Sequence, residues 1–245
     1  MAPANKLRIA LVGYGKMGKA IEEIALKKGH EIVLKISSSN KHELTAERLQ
    51  QADVAIEFTG PEHAVANIVS CLNAGIPVVC GSTGWLQRLQ EVESCCRQHN
   101  GSFLYASNFS IGVNIFFELN RKLASLMASQ PEYSISIEEI HHTHKKDAPS
   151  GTAITLAEQA IKELPGKNTW VNMPGTKENE IGIVSKRIDP APGTHSVKYS
   201  SAVDDIEIIH TAHNRQGFAG GAVLAAEFIH NKKGIFSMKD VLSIA

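Results

Sequence analysis

Through the first hundred residues, apolar runs of strand length alternate with segments whose apolar positions recur at helical spacing. The strand-like runs are residues 7–12, 31–36, 53–58, 76–80 and 102–106. Between them Met17, Ile21, Ile24 and Ala25 mark one helical face, Ala64, Ile68, Cys71 and Leu72 another, and residues 85–99 keep the same period. Gly29 and Gly75 follow the first two helices, where a left-handed stop residue is favoured. Apolar strands separated by helices predict a doubly wound parallel sheet with both faces covered. The regularity breaks after Ile111. Residues 111–127 read as one long helix; 134–140, 181–187, 194–200 and 205–212 then read as strands, with one helix at 152–164. That order predicts a smaller α+β domain with an open mixed or antiparallel sheet and helices on one face. Residues 165–180 are polar, carry Pro165-Gly166 and Pro174-Gly175, and are expected to form a mobile loop. A last helix bearing Val223, Leu224, Ala226 and Ile229 is expected to return to the first domain. The expected domains are therefore 1–110 with 215–245, and 111–214, joined by a hinge near Ser110 and Arg215.

The first strand runs into Gly13-Tyr14-Gly15-Lys16-Met17-Gly18 and a helix, and a second strand follows within about thirty residues. That context turns a weak glycine motif into a candidate dinucleotide turn of a Rossmann-type fold, against a ligand-free strand–helix–strand unit. An acidic residue expected at the end of the second strand is missing, and Ser37-Ser38-Ser39-Asn40-Lys41 stands there. With no carboxylate to repel it, a 2′-phosphate is acceptable, with Lys16, Lys35 or Lys41 as candidate partners, so NADPH is expected to serve at least as readily as NADH. The turns Gly81-Ser82-Thr83-Gly84 and Ala106-Ser107-Asn108-Phe109 close later strands, and strand C-termini form the ligand crevice of such a sheet.

Composition narrows the class without choosing a ligand. The 245 residues hold 25 basic and 25 acidic side chains, so no net charge points to nucleic acid or a membrane surface. No run reaches the roughly 18 apolar residues of a membrane span. Cys71, Cys80, Cys95 and Cys96 form no C-x-x-C pair, and the chain starts without an apolar signal segment. A cytoplasmic protein with reduced thiols is expected.

The densest chemistry lies in Glu139-Ile140-His141-His142-Thr143-His144-Lys145-Lys146-Asp147-Ala148-Pro149-Ser150-Gly151-Thr152-Ala153, between an alternating strand and a helix. Ser150 or Thr152 suits the helix N-cap, and the N–H groups behind it favour an anion. Three readings compete there. A zinc site would use His141, His142 and His144, perhaps with Asp147, yet neighbouring histidines on a strand face opposite ways and no H-E-x-x-H or cysteine pairing supports it. A purely structural reading makes the histidines surface residues and Ser150 only a cap. The third is an anion and proton-transfer site.

This stretch resembles the signature of the 4-hydroxy-tetrahydrodipicolinate (dihydrodipicolinate) reductase family, and the resemblance extends over essentially the whole chain. Residues 13–18, 81–84, 106–110 and 214–219 resemble that family's dinucleotide turn, nicotinamide-side turn, hinge strand end and re-entry segment. The resemblance implies a Rossmann domain from both chain ends, a central substrate-binding and oligomerisation domain, and a homotetramer. It further implies reduction of a cyclic imine dicarboxylate by NADPH or NADH in lysine and diaminopimelate biosynthesis. By position, His141 is the proton donor or acceptor, Lys145 the proton donor, and His142, Gly151 and Thr152 bind substrate carboxylates. Gly13, Tyr14, Gly15, Lys16, Met17, Gly18, Gly81, Ser82, Thr83, Ala106, Ser107, Asn108 and Phe109 are the implied cofactor contacts; no metal is implied. The glycine turn is one residue shorter than in many members, and Ser37 replaces the usual ribose-binding acid. A cofactor sensor without turnover, or another amino- or imino-acid dehydrogenase such as an aspartate dehydrogenase, would not need His-His-x-x-x-Lys before Ser-Gly-Thr.

Overall fold

The computed structural model describes residues 6–175, 177–214 and 216–244. In chain order the first elements are β1 (Arg8–Val12), α1 (Lys16–Lys27), β2 (Glu31–Ile36), α2 (Ala46–Leu49), β3 (Val54–Glu57), α3 (Pro61–Asn73), β4 (Val78–Cys80), α4 (Leu89–Gln98) and β5 (Ser102–Tyr105). They are followed by α5 (Ile111–Met127), β6 (Ser134–His141), α6 (Gly151–Glu163), β7 (Thr169–Val171), β8 (Glu180–Arg187), β9 (Gly193–Ser200) and β10 (Asp205–Ala212). The chain ends in α7 (Gln216–Ile229), β11 (Gly234–Phe236) and α8 (Met238–Leu242). Two compact units result, residues 1–111 with 216–245 and residues 112–215. Arg215, one side of the expected hinge, lies outside the described residues.

The first unit is a parallel sheet in the order β11-β5-β4-β3-β1-β2. Side chains alternate across a strand, so β1 sends Ala10 and Val12 into a core with α3 and α4, and Ile9 and Leu11 into a second core with α1 and α7. Both faces are therefore dry, which is why these strands read as unbroken apolar runs. Gly29 and Gly75 stop α1 and α3 with φ of +87° and +77°. The sheet has six strands where five are predicted. The sixth, β11, is three residues long and follows α7, too short to carry a period of its own.

The second unit is a mixed sheet in the order β10-β9-β6-β8-β7, with β6, β7 and β8 parallel and β9 and β10 antiparallel. Ile135, Ile137, Ile181, Ile183, Val197 and Tyr199 share a core with Ala153, Leu156, Ala157 and Ala160 of α6 and Phe116 and Ala124 of α5. Asn120, fully buried on α5, donates to the Leu156 carbonyl at 3.1 Å and ties the two helices together. Residues 165–180, expected as one loop, contain a strand instead. Thr169–Val171 forms β7 beside β8, because an edge strand needs one hydrogen-bonded neighbour and only a few residues, which a polar Pro/Gly-rich stretch can still supply.

Candidate active site

Three adjacent strands bring one polar cluster to the end of the apolar face in the second unit. On β6 the buried phase runs Ile135, Ile137, Glu139, His141, so the inward positions change from apolar to ionisable as the strand ends. Register then supplies the neighbours, with His195 of β9 opposite Glu139 and Arg187 of β8 opposite His141. Where β6 stops, the chain turns and starts α6 under the same cluster.

Glu139 is completely buried. Its carboxylate accepts the Ser150 N–H at 3.1 Å on each oxygen and an Arg187 N–H at 3.2 Å. His141 Nδ1 stands 3.2 Å from Glu139 Oε2, close enough for charge attraction but out of line for a full hydrogen bond. Burial alone would raise the Glu139 carboxyl. The His141 ring, Ser150 and Ser185 overcome it and hold the group well below the usual carboxylate range.

His195 Nε2 lies 3.1 Å from Ser150 Oγ and 3.7 Å from Glu139 Oε2, and its ring meets that of His141 edge-on at 5.0 Å. Burial first, then the His141 ring, pushes His195 down to about 4 against the opposing pull of Glu139; the Lys145 charge lowers it further. A ring with that value is neutral at physiological pH. Gly193 makes room for His141. It holds φ of +155°, and a Cβ there would come within 3.1 Å of His141 Nε2.

Ser150 does two jobs. Its N–H goes to Glu139, while its Oγ caps α6 by accepting the Ala153 N–H at 3.3 Å. Between these two, the amides of Gly151 and Thr152 belong to the helical turn that has no carbonyl of its own to reach. A Cβ on Gly151 would meet nothing within 4 Å, so this N-terminus faces open space. Lys145 Nζ rests on both Asp147 oxygens at 2.8 Å, and this hydrogen bond holds the Asp147 carboxyl below its ordinary range. The loop between β6 and α6 is pinned at Thr143, whose N–H and Oγ–H donate to Asp189 at 3.1 and 2.6 Å, and at the Asp147 carbonyl, which accepts from Arg187 at 2.6 Å. The His142 ring lies 6.3 Å from that of His144.

Among the described residues, the set suggested for zinc does not bring its ligand atoms together, and a different set does. Ligand atoms of Glu139, His141 and His195 lie within 4.8 Å of one another. The Arg187 guanidinium and the Ser150 N–H already occupy the Glu139 carboxylate, so this set suits proton handling beside an anion better than a cation. Glu139, His195 and Arg187 escape sequence reasoning as site residues. Glu139 and His195 did leave a signal, an ionisable side chain at an apolar phase of a strand.

In the first unit the suggested cofactor turns meet around Phe58, just past β3, which sequence reasoning also missed. At Gly13, φ is +102° and a Cβ would fall 2.1 Å from the Phe58 carbonyl oxygen. At Gly81 a Cβ would overlap the Phe58 ring at 2.2 Å, and the Phe109 ring packs against Phe58 at a tilt of 52°, centroids 5.7 Å apart. A Cβ on Gly18 would reach the Gly13 oxygen at 2.6 Å, while one on Gly15 would meet nothing. A tight turn, an open position and a close helix contact are the three uses a dinucleotide turn makes of its glycines. Lys16 and Met17 then open α1, and Tyr14 lines the neighbouring cleft with its hydroxyl on Glu22. Ser82 Oγ accepts the Thr59 N–H at 2.8 Å and joins the ends of β3 and β4, with Thr83 exposed beside it. Ala106 is buried at the end of β5 next to exposed Ser107, and Asn108 Oδ1 accepts the Ser110 N–H at 2.9 Å.

Comparisons with known proteins agree along the chain. Residues 7–109 match the family model described as dihydrodipicolinate reductase, N-terminus, and residues 112–242 the one described as dihydrodipicolinate reductase, C-terminus. A 4-hydroxy-tetrahydrodipicolinate reductase of Christiangramia forsetii is 50% identical over 238 residues, covering 97% of this chain and 98% of that protein. One of Methanosarcina mazei is 36% identical over 241 residues, covering 96% and 89%. Among solved structures, a dihydrodipicolinate reductase of Paenisporosarcina sp. TG-14, solved with dipicolinate bound, superposes with a TM-score of 0.76 at 24% identity, covering 95% of this chain and 97% of that one.

Proposed function

Because the chain belongs to the dihydrodipicolinate reductase family, we propose that the N-terminus of α6, with the Glu139–His141–His195–Arg187 cluster beside it, is where this nicotinamide-dependent reductase holds and protonates its substrate. The reaction is reduction of 4-hydroxy-tetrahydrodipicolinate to tetrahydrodipicolinate, a step of lysine and diaminopimelate biosynthesis. It takes in one hydride and one proton and releases one water. When bound, the reduced nicotinamide supplies the hydride; the glycine turn and the crevice around Phe58 fit such a dinucleotide.

The single observation that carries this reading is the buried Glu139 carboxylate, which lies 3.2 Å from the His141 ring and accepts the Ser150 N–H at the start of α6. Gly151 and Thr152 offer their N–H groups to a substrate carboxylate, and His142 supports the dicarboxylate from the same loop. His141 has its Nδ1 turned to Glu139, which leaves Nε2 to give or take the substrate proton. Lys145, now on Asp147, is the second proton donor to the ring that receives the hydride. Fixed cations beside the carboxylates offset the charge that develops as the ring is reduced.

Ser37 at the end of β2 leaves the adenosine end without a carboxylate, so NADPH should serve at least as readily as NADH. Self-association, as a homotetramer, would cover the second unit's sheet, whose edge strand β10 leaves Ile206 and Ile209 exposed at 40% and 59%. Free thiols at all four cysteines suit a cytoplasmic setting, and among the described residues no helix is long and apolar enough to cross a membrane. The deciding experiment is a steady-state assay with the dicarboxylate substrate and each cofactor in turn. Oxidation of NADPH at a rate matching or exceeding NADH is expected, and oxidation of neither would end the reading.

A further inference from the structure

The cleft at the C-terminal ends of β1, β2 and β3 has a volume of about 420 Å³ and two lips. One lip is the segment after β2, with Ser37, Ser38 and Lys41; the other is the first turn of α3, with His63. Lys41 Nζ lies 2.8 Å from His63 Nε2, so the two lips touch through a lysine–histidine hydrogen bond. An ammonium only donates. His63 Nε2 is therefore the acceptor, and the tautomer this fixes leaves a second N–H on the ring.

Of the other charged groups nearby, Lys35 and Glu43 are held in ion pairs, and Glu62 lines the same cleft. Lys35 is paired with Glu22 at 2.5 Å and lies over the Tyr14 ring. Glu43 takes Arg48 and the Asn40 amide. Glu62, on the α3 wall, turns over Gly60, its Oε2 3.4 Å from where a Cβ would stand. Ser37 Oγ is 2.8 Å from Ser39 Oγ, where a dinucleotide fold for NAD keeps its ribose-binding acid. The end of β2 thus presents hydroxyls and one lysine, and the lysine is joined to a histidine from the far lip.

We propose that Lys41 and His63 bind the 2′-phosphate of NADPH together, one from each lip, and that His63 is a specificity-determining residue of this chain. A 2′-phosphate at the end of β2 meets the Lys41 ammonium, and the 2.8 Å contact puts the imidazole within reach of the same anion. Charge-assisted hydrogen bonds to phosphate are the strong kind, whereas a 2′-hydroxyl gives this pair little to hold. The proposal rests on the reading that the first unit takes a nicotinamide dinucleotide.

The test compares the full-length wild type with His63→Ala, Lys41→Ala and the double variant. Steady-state turnover with NADPH and NADH is combined with calorimetric binding of adenosine 2′,5′-bisphosphate and AMP. Each single variant should lower the NADPH-to-NADH ratio of kcat/KM by about tenfold to a hundredfold, through KM rather than kcat. Each should also weaken the bisphosphate selectively over AMP, and the double variant should lose less than the product of the two singles. An equal loss for both cofactors and both nucleotides in His63→Ala would overturn the proposal, because His63 would then only hold the lip. A selective loss in Lys41→Ala alone would also remove His63 from the site. If the wild type bound neither nucleotide and turned over neither cofactor, the dinucleotide reading itself would have failed.

Discussion

Glu139 Oε2 stands 3.2 Å from His141 Nδ1, two residues apart on one face of β6. The same carboxylate receives the Ser150 N–H at the start of α6. One buried group therefore connects the proposed proton-handling ring to the helix end proposed to hold the substrate, so the two are aligned by a common anchor. Arg187 closes the arrangement at 3.2 Å from the other oxygen.

Replacing Glu139 with Gln keeps an oxygen for the Ser150 N–H and removes the charge facing His141 and Arg187. If Glu139 positions His141, kcat should fall by about tenfold to a hundredfold, within the range of lost proton-transfer catalysis, and the pH profile of kcat should change shape. A lower kcat with an unmoved pH profile would indicate a packing role only.

His141→Gln and Lys145→Ala should each lower kcat by about 10² to 10⁴, while NADPH binding followed by fluorescence stays near wild type. Neither side chain lies in the unit that carries the glycine turn. Near-wild-type turnover in His141→Gln would withdraw its role, and loss of cofactor binding alone in Lys145→Ala would contradict the one given to Lys145.

His195 predicts how stability depends on acid. Burial lowers it to about 4 in the folded chain, against an ordinary value of about 6.5 when unfolded. Between these values the unfolded state binds the extra proton, so stability rises with pH and is lost as pH falls from about 6.5 towards 4. The loss is at most about 3 kcal/mol. Glu139, lowered by its partners, adds a further loss that begins below its ordinary unfolded range, near pH 4.5. Urea melts should show a shallower decline between pH 6.5 and 4.5 in His195→Gln than in wild type, and parallel curves would place the protons elsewhere.

The sequence shows what is local and hides what depends on register. Ile9 to Val12, buried on both sides, read as a strand from their apolar run, and Ser150 reads as a cap from the residues after it. β7 and β11 are three residues each, and no period survives in so few. Glu139, His195 and Arg187 are 56 and 48 residues apart at the extremes of their pairings with β6, so only the alignment of three strands makes them neighbours. Phe58 was hidden for a similar reason, since it reads as the end of an apolar run until Gly13, Gly81 and Phe109 are seen packed around it.

Two glycines of the same turn should differ in their effect on stability when replaced, though both replacements should weaken cofactor binding. Gly13 has a left-handed φ of +102°, and a methyl group would lie 2.1 Å from the Phe58 oxygen, so Gly13→Ala should destabilise the first unit as well as weaken the cofactor. Gly15 has φ of −93°, open to any residue, and a Cβ there would touch nothing. Gly15→Ala should therefore melt with wild type by circular dichroism, yet bind NADPH at least about tenfold more weakly, because the methyl occupies the path by which a pyrophosphate approaches the backbone. Unchanged NADPH affinity in a folded Gly15→Ala would show that the phosphates do not pass over this turn.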